Sequence, residues 1–353
     1  MQRAPSDDGS AEPWRDLPWP VEETQRYLRR VAPRVDASGR WLSKAVGGAI
    51  VWLLRRLSWE NADRLGSLIG WILATLRVRR DIALVNLDVA YGERKTRAEK
   101  LAIYRASMLG LGRHLLNYAR TPLMDAEFFR TRFEIEDEER LREVMARGKG
   151  LLVVGGHLGE WEIAAARVGM LGYPASMIAK RIRSPVIEKF LIDARLAINL
   201  GTMFASGSMD QILDALRRGE MITMAVDQNM RASRGVFVDW MGRPASTVRS
   251  TAYVVRETGA SVLTGVAYRV APGRFKLVVG EEVPWEPHPQ DAEEELLINT
   301  RHHAKAVERL IYAYPETWLW VHRRYKVQPD GVPSPYPDDA RRARRRAASG
   351  QAR

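Results

Sequence analysis

The chain has 353 residues, 46% of them hydrophobic, enough for one large or two modest domains with a sizeable core. It contains no cysteine, which excludes disulfides, cysteine-ligated zinc and a cysteine nucleophile. The 55 basic and 43 acidic residues leave a net charge of +12, and Arg341, Arg342, Arg344, Arg345, Arg346 and Arg353 gather beyond the last acid, Asp339. Such a balance suits nucleic acid, anionic lipid or an acidic protein. No nucleic-acid-binding motif accompanies it, so nucleic acid is not expected as a partner.

Residues 1–38 mix charges and prolines without the apolar stretch of a secretory signal, and read as a poorly ordered leader. Ala45–Leu54 and Leu65–Leu76 are free of charge, but each falls short of the ~18–20 apolar residues a spanning helix needs. Arg55 and Arg56 separate them, Arg77, Arg79 and Arg80 follow, and Trp41, Trp52, Trp59 and Trp71 are interspersed. The pattern predicts membrane-associating helices within residues 39–92, lying in an interface with arginines against lipid phosphates. Two core helices joined by a charged turn are the alternative.

Periodic apolar residues predict a helix over Arg94–Tyr118, and a charged helix over Glu134–Arg147 ends at Gly148 and Gly150. Strands and helices then alternate. Strands are expected at Leu151–Val154, Ser176–Ala179, Met221–Val226, Ser261–Arg269 and Phe275–Val279. Helices are expected at Glu162–Leu171, Pro185–Asn199, Met209–Arg218, Val248–Thr258 and His302–Tyr314. The fold class is α/β, a central, mostly buried mixed sheet flanked by helices, with one domain over residues 93–326. Residues 327–353, rich in proline, aspartate and arginine, read as a disordered basic tail.

The chemistry concentrates in Leu151-Leu-Val-Val-Gly-Gly-His157-Leu-Gly-Glu-Trp-Glu162. A buried strand, broken by two glycines, delivers His157 to the mouth of the sheet, and Glu162 follows as a carboxylate able to orient one ring nitrogen. A helix starting near Glu160 would aim free amides at a developing oxyanion. That is equipment for taking a proton from a hydroxyl. A structural histidine at a strand end is the competing reading. No metal site is expected, since nothing else has ligand spacing.

The His157-to-Glu162 stretch resembles the His-x4-Asp/Glu signature of bacterial lysophospholipid acyltransferases, and more closely the lipid A biosynthesis lauroyl/myristoyl acyltransferase family. Further blocks are similar to that family in the same order: Arg79 to Leu87 around Asn86, a central block made of Leu216 to Glu220, Val226 to Gln228, Gly235 to Val238 and Gly242 to Thr247, and Pro315-Glu-Thr-Trp-Leu-Trp-Val-His322-Arg-Arg324. The similarity covers residues 45–326. Where many relatives have asparagine, this chain has Glu160, an acid whose effect on His157 the sequence leaves open.

The resemblance implies a glycerolipid-acyltransferase-like fold and an enzyme that moves an acyl chain from a thioester to a lipid hydroxyl. His157 would be the general base and Glu162 its orienter. Arg195 and Asp227 would belong to the catalytic set and pair with each other, and His322 would approach His157. Gln228 and the basic cluster Lys180, Arg181 and Arg183 would bind substrate. No cofactor is implied beyond acyl-acyl carrier protein or acyl-CoA as co-substrate. The implied partners are acyl carrier protein and a membrane glycolipid, a lipid A precursor or a phosphatidylinositol mannoside, at the cytoplasmic face of the inner membrane. A non-catalytic membrane-surface protein and a thioester hydrolase are the rival readings.

Overall fold

A computed structural model describes residues 24–29 and 41–337. The leader expected over residues 1–38 lies mostly outside them, as does the arginine run after Asp339. In chain order the elements are α1 (Trp41–Arg56), α2 (Trp59–Thr75), α3 (Arg80–Tyr91), α4 (Arg97–Ala119), α5 (Ala126–Arg132), β1 (Phe133–Glu136), α6 (Glu138–Ala146) and β2 (Leu151–Gly155). There follow α7 (Trp161–Gly169), β3 (Ala175–Ala179), α8 (Pro185–Leu196), β4 (Gly201–Phe204), α9 (Met209–Arg217), β5 (Met221–Ala225), β6 (Gly235–Trp240) and β7 (Arg243–Val248). The series ends with α10 (Ser250–Thr258), β8 (Ser261–Leu263), β9 (Gly265–Ala271), β10 (Arg274–Val279) and α11 (Ala292–Ala313).

The central sheet has the order β4-β3-β5-β2-β8 and every pairing in it is parallel. Its strands are near-continuous apolar runs because both faces are covered. Leu152, Val154, Ile222 and Met224 face a core built with α9, α10 and α11. Leu151, Met221 and Leu263 face a second core built with α6 and α7. The expected mixing is not in this sheet. It lies in a separate three-stranded sheet, β1-β10-β9, where β1 runs parallel and β9 antiparallel to β10.

Some expectations are corrected. The predicted helix over Glu134–Arg147 is cut by a strand: Phe133-Glu-Ile-Glu136 alternates apolar and polar and pairs with β10, and Asp137 at φ +60° turns the chain into α6. β4 and the β6–β7 hairpin went unpredicted. That hairpin turns at Met241 and Gly242, both with positive φ, without an Asn-Gly signal. The helix expected from His302 starts ten residues earlier, where the Asp291 carboxylate accepts the amides of Glu293 and Glu294. A domain boundary at residue 92 is not observed, because α3 is part of the core that holds α9 and α11. Nor does the body stop at 326: buried Tyr336 donates to Asn86 Oδ1 at 2.7 Å, and Val327 N–H donates to Asn229 Oδ1 at 2.9 Å.

Among the described residues no helix is long and apolar enough to cross a membrane. α1 and α2 nevertheless leave Ile50, Trp52, Leu53, Leu68, Trp71, Ile72 and Leu76 exposed. Arg120, itself buried, ties their connection to α4 by donating to the carbonyls of Leu54 (2.6 Å) and Leu57 (2.8 Å). α2 and α4 touch backbone to backbone through Gly66, Gly70 and Gly112. A Cβ on Gly112 would lie 2.2 Å from the Gly66 carbonyl oxygen. Gly112→Ala is therefore expected to cost about 1–3 kcal/mol, as overpacking does, read as a lower urea midpoint with unchanged slope.

Candidate active site

Parallel register explains how the site assembles. β2 and β5 are neighbours, with Gly155 opposite Ala225. Two residues past each of these come His157 and Asp227, side by side at the carboxyl edge of the sheet, where α/β proteins place their ligands. The Asp227 carboxylate accepts the His157 main-chain N–H at 2.8 Å and the Trp318 indole N–H at 2.9 Å, and it meets the His157 ring Nδ1 at 3.0 Å. Burial alone would raise the pKa of Asp227. The charge of His157 and these donors outweigh it and hold the carboxyl far below its usual range.

His157 responds oppositely. Burial favours its neutral form, but the Asp227 charge and hydrogen bond prevail and raise its pKa above 6.5. With Nδ1–H given to Asp227, the lone pair sits on Nε2, and the Gln228 carboxamide nitrogen lies 3.1 Å from it. The side chain remains 27% exposed. Of the two glycines ahead of His157, Gly156 serves space rather than conformation: a Cβ on it would lie 3.0 Å from Asp227 Cγ, whereas one on Gly155 would meet nothing within 4 Å. The residue that needs a left-handed backbone is Gly159, at φ +54°, where a Cβ would strike the Ala267 carbonyl oxygen.

Glu162 does not orient His157. Its carboxylate is taken by Arg195, with Nη2 at 2.8 Å and Nε at 3.2 Å, and both side chains are buried. The expected Arg195–Asp227 pair is therefore absent, and the carboxylates have exchanged the roles read from the sequence. Asp227 is the orienter, and Glu162 with Arg195 binds the start of α7 to the end of α8. Desolvation opposes the Arg195 charge, yet Glu162 outweighs it and raises the guanidinium pKa.

Glu160, between the two, is buried and satisfied. One oxygen meets His114 Nδ1 at 2.8 Å and the other accepts from Asn117 Nδ2 at 2.7 Å. The amides of the turn just ahead of α7 are spent inside the fold. Leu158 N–H donates to Gly156, Gly159 N–H to Thr317 and Glu160 N–H to Ala267. Arg195 borders the large cavity, but its Nε and Nη2 are committed to Glu162.

His322 comes close to the pair but is not part of the wall of the cavity that His157 lines. Its Nε2 accepts the Asn229 N–H at 3.1 Å, its carbonyl accepts from Asn86 Nδ2 at 2.7 Å, and burial pushes its pKa down to about 4. It pins the loop after Asp227 through that bond.

Beside His157 opens a cavity of about 1140 Å³. Along the α7 side of the sheet its wall is apolar, including Val153, Ala165, Val168, Met177, Leu263 and Leu277. Gln228, Lys180 and Arg181 line it near the exposed surface, whereas Arg183, also exposed, is not part of the wall. Arg181 donates to the Tyr27 hydroxyl at 2.6 Å and lies over the Phe204 ring. Trp318 was missed by sequence reasoning: its block was recognised, but nothing in the string assigns its N–H to Asp227. His114 was missed because its partner is 46 residues away. Among the described residues no group of three or more histidines and carboxylates is placed to hold a metal.

A sequence model described as bacterial lipid A biosynthesis acyltransferase matches residues 29–327. The chain belongs to that family. It is 27% identical to the lipid A biosynthesis lauroyltransferase of Escherichia coli K12, an alignment covering 84% of this chain and 95% of the relative. It is 25% identical to the lipid A biosynthesis palmitoleoyltransferase of the same organism, over 82% and 93%. Identity to a phosphatidylinositol mannoside acyltransferase of Mycolicibacterium smegmatis is 21%, over 45% of this chain and 54% of that one. As a family member the protein is an acyl-transferring enzyme, and the His157–Asp227 pair is its candidate centre.

Arg195→Leu would leave Glu162 charged, buried and unpaired. Denaturant unfolding should show a loss of about 3–5 kcal/mol, with much of it restored by adding Glu162→Leu.

Proposed function

We propose that the protein transfers a fatty acyl chain from an acyl thioester to a hydroxyl of a lipid A precursor at the cytoplasmic face of the inner membrane. The observation that carries this reading is the His157–Asp227 pair beside a cavity that is apolar along one wall and basic near its surface. The apolar wall suits an acyl chain. Lys180 and Arg181 suit the phosphate of a phosphopantetheine arm or of the acceptor. The exposed tryptophan and leucine side chains of α1 and α2, with Arg56 stacked 3.7 Å over the Trp52 ring, suit a membrane interface.

In this mechanism His157 Nε2 accepts the acceptor hydroxyl proton while Asp227 holds Nδ1–H and stabilises the imidazolium. The oxygen attacks the thioester carbonyl. The tetrahedral intermediate collapses, the thiolate leaves, and the imidazolium returns the proton to sulfur. No covalent acyl-enzyme is formed. The Gln228 carboxamide, next to Nε2, supports the developing negative charge. The basic surface favours acyl carrier protein, which is acidic, over coenzyme A as donor. Glu162 and Arg195 keep α7 and its turn in register without touching the reacting atoms.

The test is purified protein with labelled acyl-acyl carrier protein or acyl-CoA and vesicles carrying a lipid A precursor, followed by lipid mass spectrometry. Wild type should make the acceptor heavier by one acyl chain, faster from the carrier protein, and His157→Ala should lower the rate by roughly 10²–10⁴-fold. Free fatty acid as the main product would identify a hydrolase instead. Near-normal transfer by His157→Ala would remove the base from the mechanism.

A further inference from the structure

His157 is held from two sides, and the second side belongs to neither the Asp227 contact nor the Glu162–Arg195 pair. The Trp161 ring lies edge-on to the His157 ring, with centroids 5.2 Å apart. On its other side Trp161 stacks on the His114 ring, with centroids 4.1 Å apart and planes 26° apart. His114 and Asn117 lie three residues apart on one face of α4 and grip both oxygens of Glu160. Glu160 is the residue just before Trp161, so one buried ion pair fixes the backbone at Trp161 while its histidine ring packs on the indole face.

The charge on His114 is consistent with this. Burial disfavours it, but Glu160 outweighs burial and raises the His114 pKa, with Glu162 adding to the rise and His157 opposing it. The other groups around it are the Tyr118 ring, 6.0 Å away, and Arg113, whose guanidinium is directed to Ser67 and Asp63. A cationic ring on an indole face is a favourable contact when desolvated.

The two rings also divide space. His157 and Trp161 both line the large cavity, and both line a smaller one of about 130 Å³ on the α4 side, which His114 and Glu160 also border. With the indole free to swing, His157 would lose its edge contact and the two spaces could merge, letting Nε2 drift from the reacting hydroxyl.

We propose that His114 and Glu160 are positioning residues for the reaction, acting through Trp161 to hold the His157 ring at the angle in which Nε2 faces the large cavity. This rests on His157 being the base, as proposed above. The structure fixes α4, and with it His114, against α2, the helix that exposes Leu68, Trp71 and Ile72. The same contact thus references the base to the apolar surface of the protein.

The test is Glu160→Gln, Trp161→Ala, Trp161→Phe and the Glu160→Gln/Trp161→Ala double variant, assayed well below each thermal midpoint. Misplacing a catalytic group by about 1 Å costs up to ~10²-fold, so Glu160→Gln should lower kcat by about tenfold or more, with KM within about threefold. Trp161→Phe, which keeps an aromatic face, should recover part of the kcat lost in Trp161→Ala. The double variant should be no worse than the poorer single variant, because Glu160 acts through Trp161. The ring nitrogen signals of His157 in 15N-histidine spectra, read without turnover, should move in Glu160→Gln. A kcat within about twofold of wild type, or losses that multiply in the double variant, would overturn the proposal even if Glu160→Gln lowers the thermal midpoint. If wild type transfers no acyl chain, the proposed function fails; unmoved His157 signals would then separately refute the positioning role.

Discussion

Everything at this site depends on one buried carboxylate. Asp227 sits 2% exposed at the end of β5, where an unpaired charge would be prohibitively costly. It is tolerated because the turn after β2 and the C-terminal block send it donors: the His157 main chain and ring, and the Trp318 indole. Each bond constrains the other partners. The amide bond holds the turn, the ring bond fixes the tautomer and the indole bond brings in residues 318–325. Those residues in turn fix the loop after Asp227 through His322, whose side chain accepts from Asn229, and through Arg324, which donates to the Gln228 carbonyl and to the Ser246 carbonyl of β7. A single anion thereby organises segments far apart in sequence, and the imidazole inherits both its orientation and its raised pKa.

A second buried charge pair has a separate task. Glu162 and Arg195 join the start of α7 to the end of α8, and neither touches His157. The division of labour is physical: the carboxylate that must stabilise an imidazolium has donors that leave it fully ionised, while the one that must lock two helices is neutralised by a bidentate guanidinium. A third acid, Glu160, is neutralised by His114. Three acids therefore lie within the same region, each with a cation beside it that offsets its charge.

The sequence conveyed the residue types and most of the alternating elements, but not these partnerships. The strand ending in Gly155, the break at Gly156 and the appearance of His157 follow from local patterns. The identity of its orienter does not, because spacing along the chain favours Glu162, five residues on, whereas parallel register selects Asp227, seventy residues on. The same limitation hid the strand at Phe133–Glu136, whose partner is β10, and the ordered stretch ending near Tyr336, which is held by Asn86. The apolar runs of α1 and α2, with their tryptophans and arginines, were legible in the sequence. Their packing on α4 was not, since it depends on glycines meeting face to face.

The account stands on Asp227, rather than Glu162, being the group that sets the proton affinity of His157. The most direct measurement is the pH dependence of kcat/KM for acyl transfer in wild type, Asp227→Asn and Glu162→Gln. The base must be unprotonated, so activity rises with pH through the His157 pKa, which the Asp227 anion raises. Asp227→Asn should move that acidic limb to lower pH and depress the plateau, while Glu162→Gln, whose charge adds a smaller share of the rise, should move the limb less. A limb that moves with Glu162→Gln and stays in place with Asp227→Asn would contradict the account.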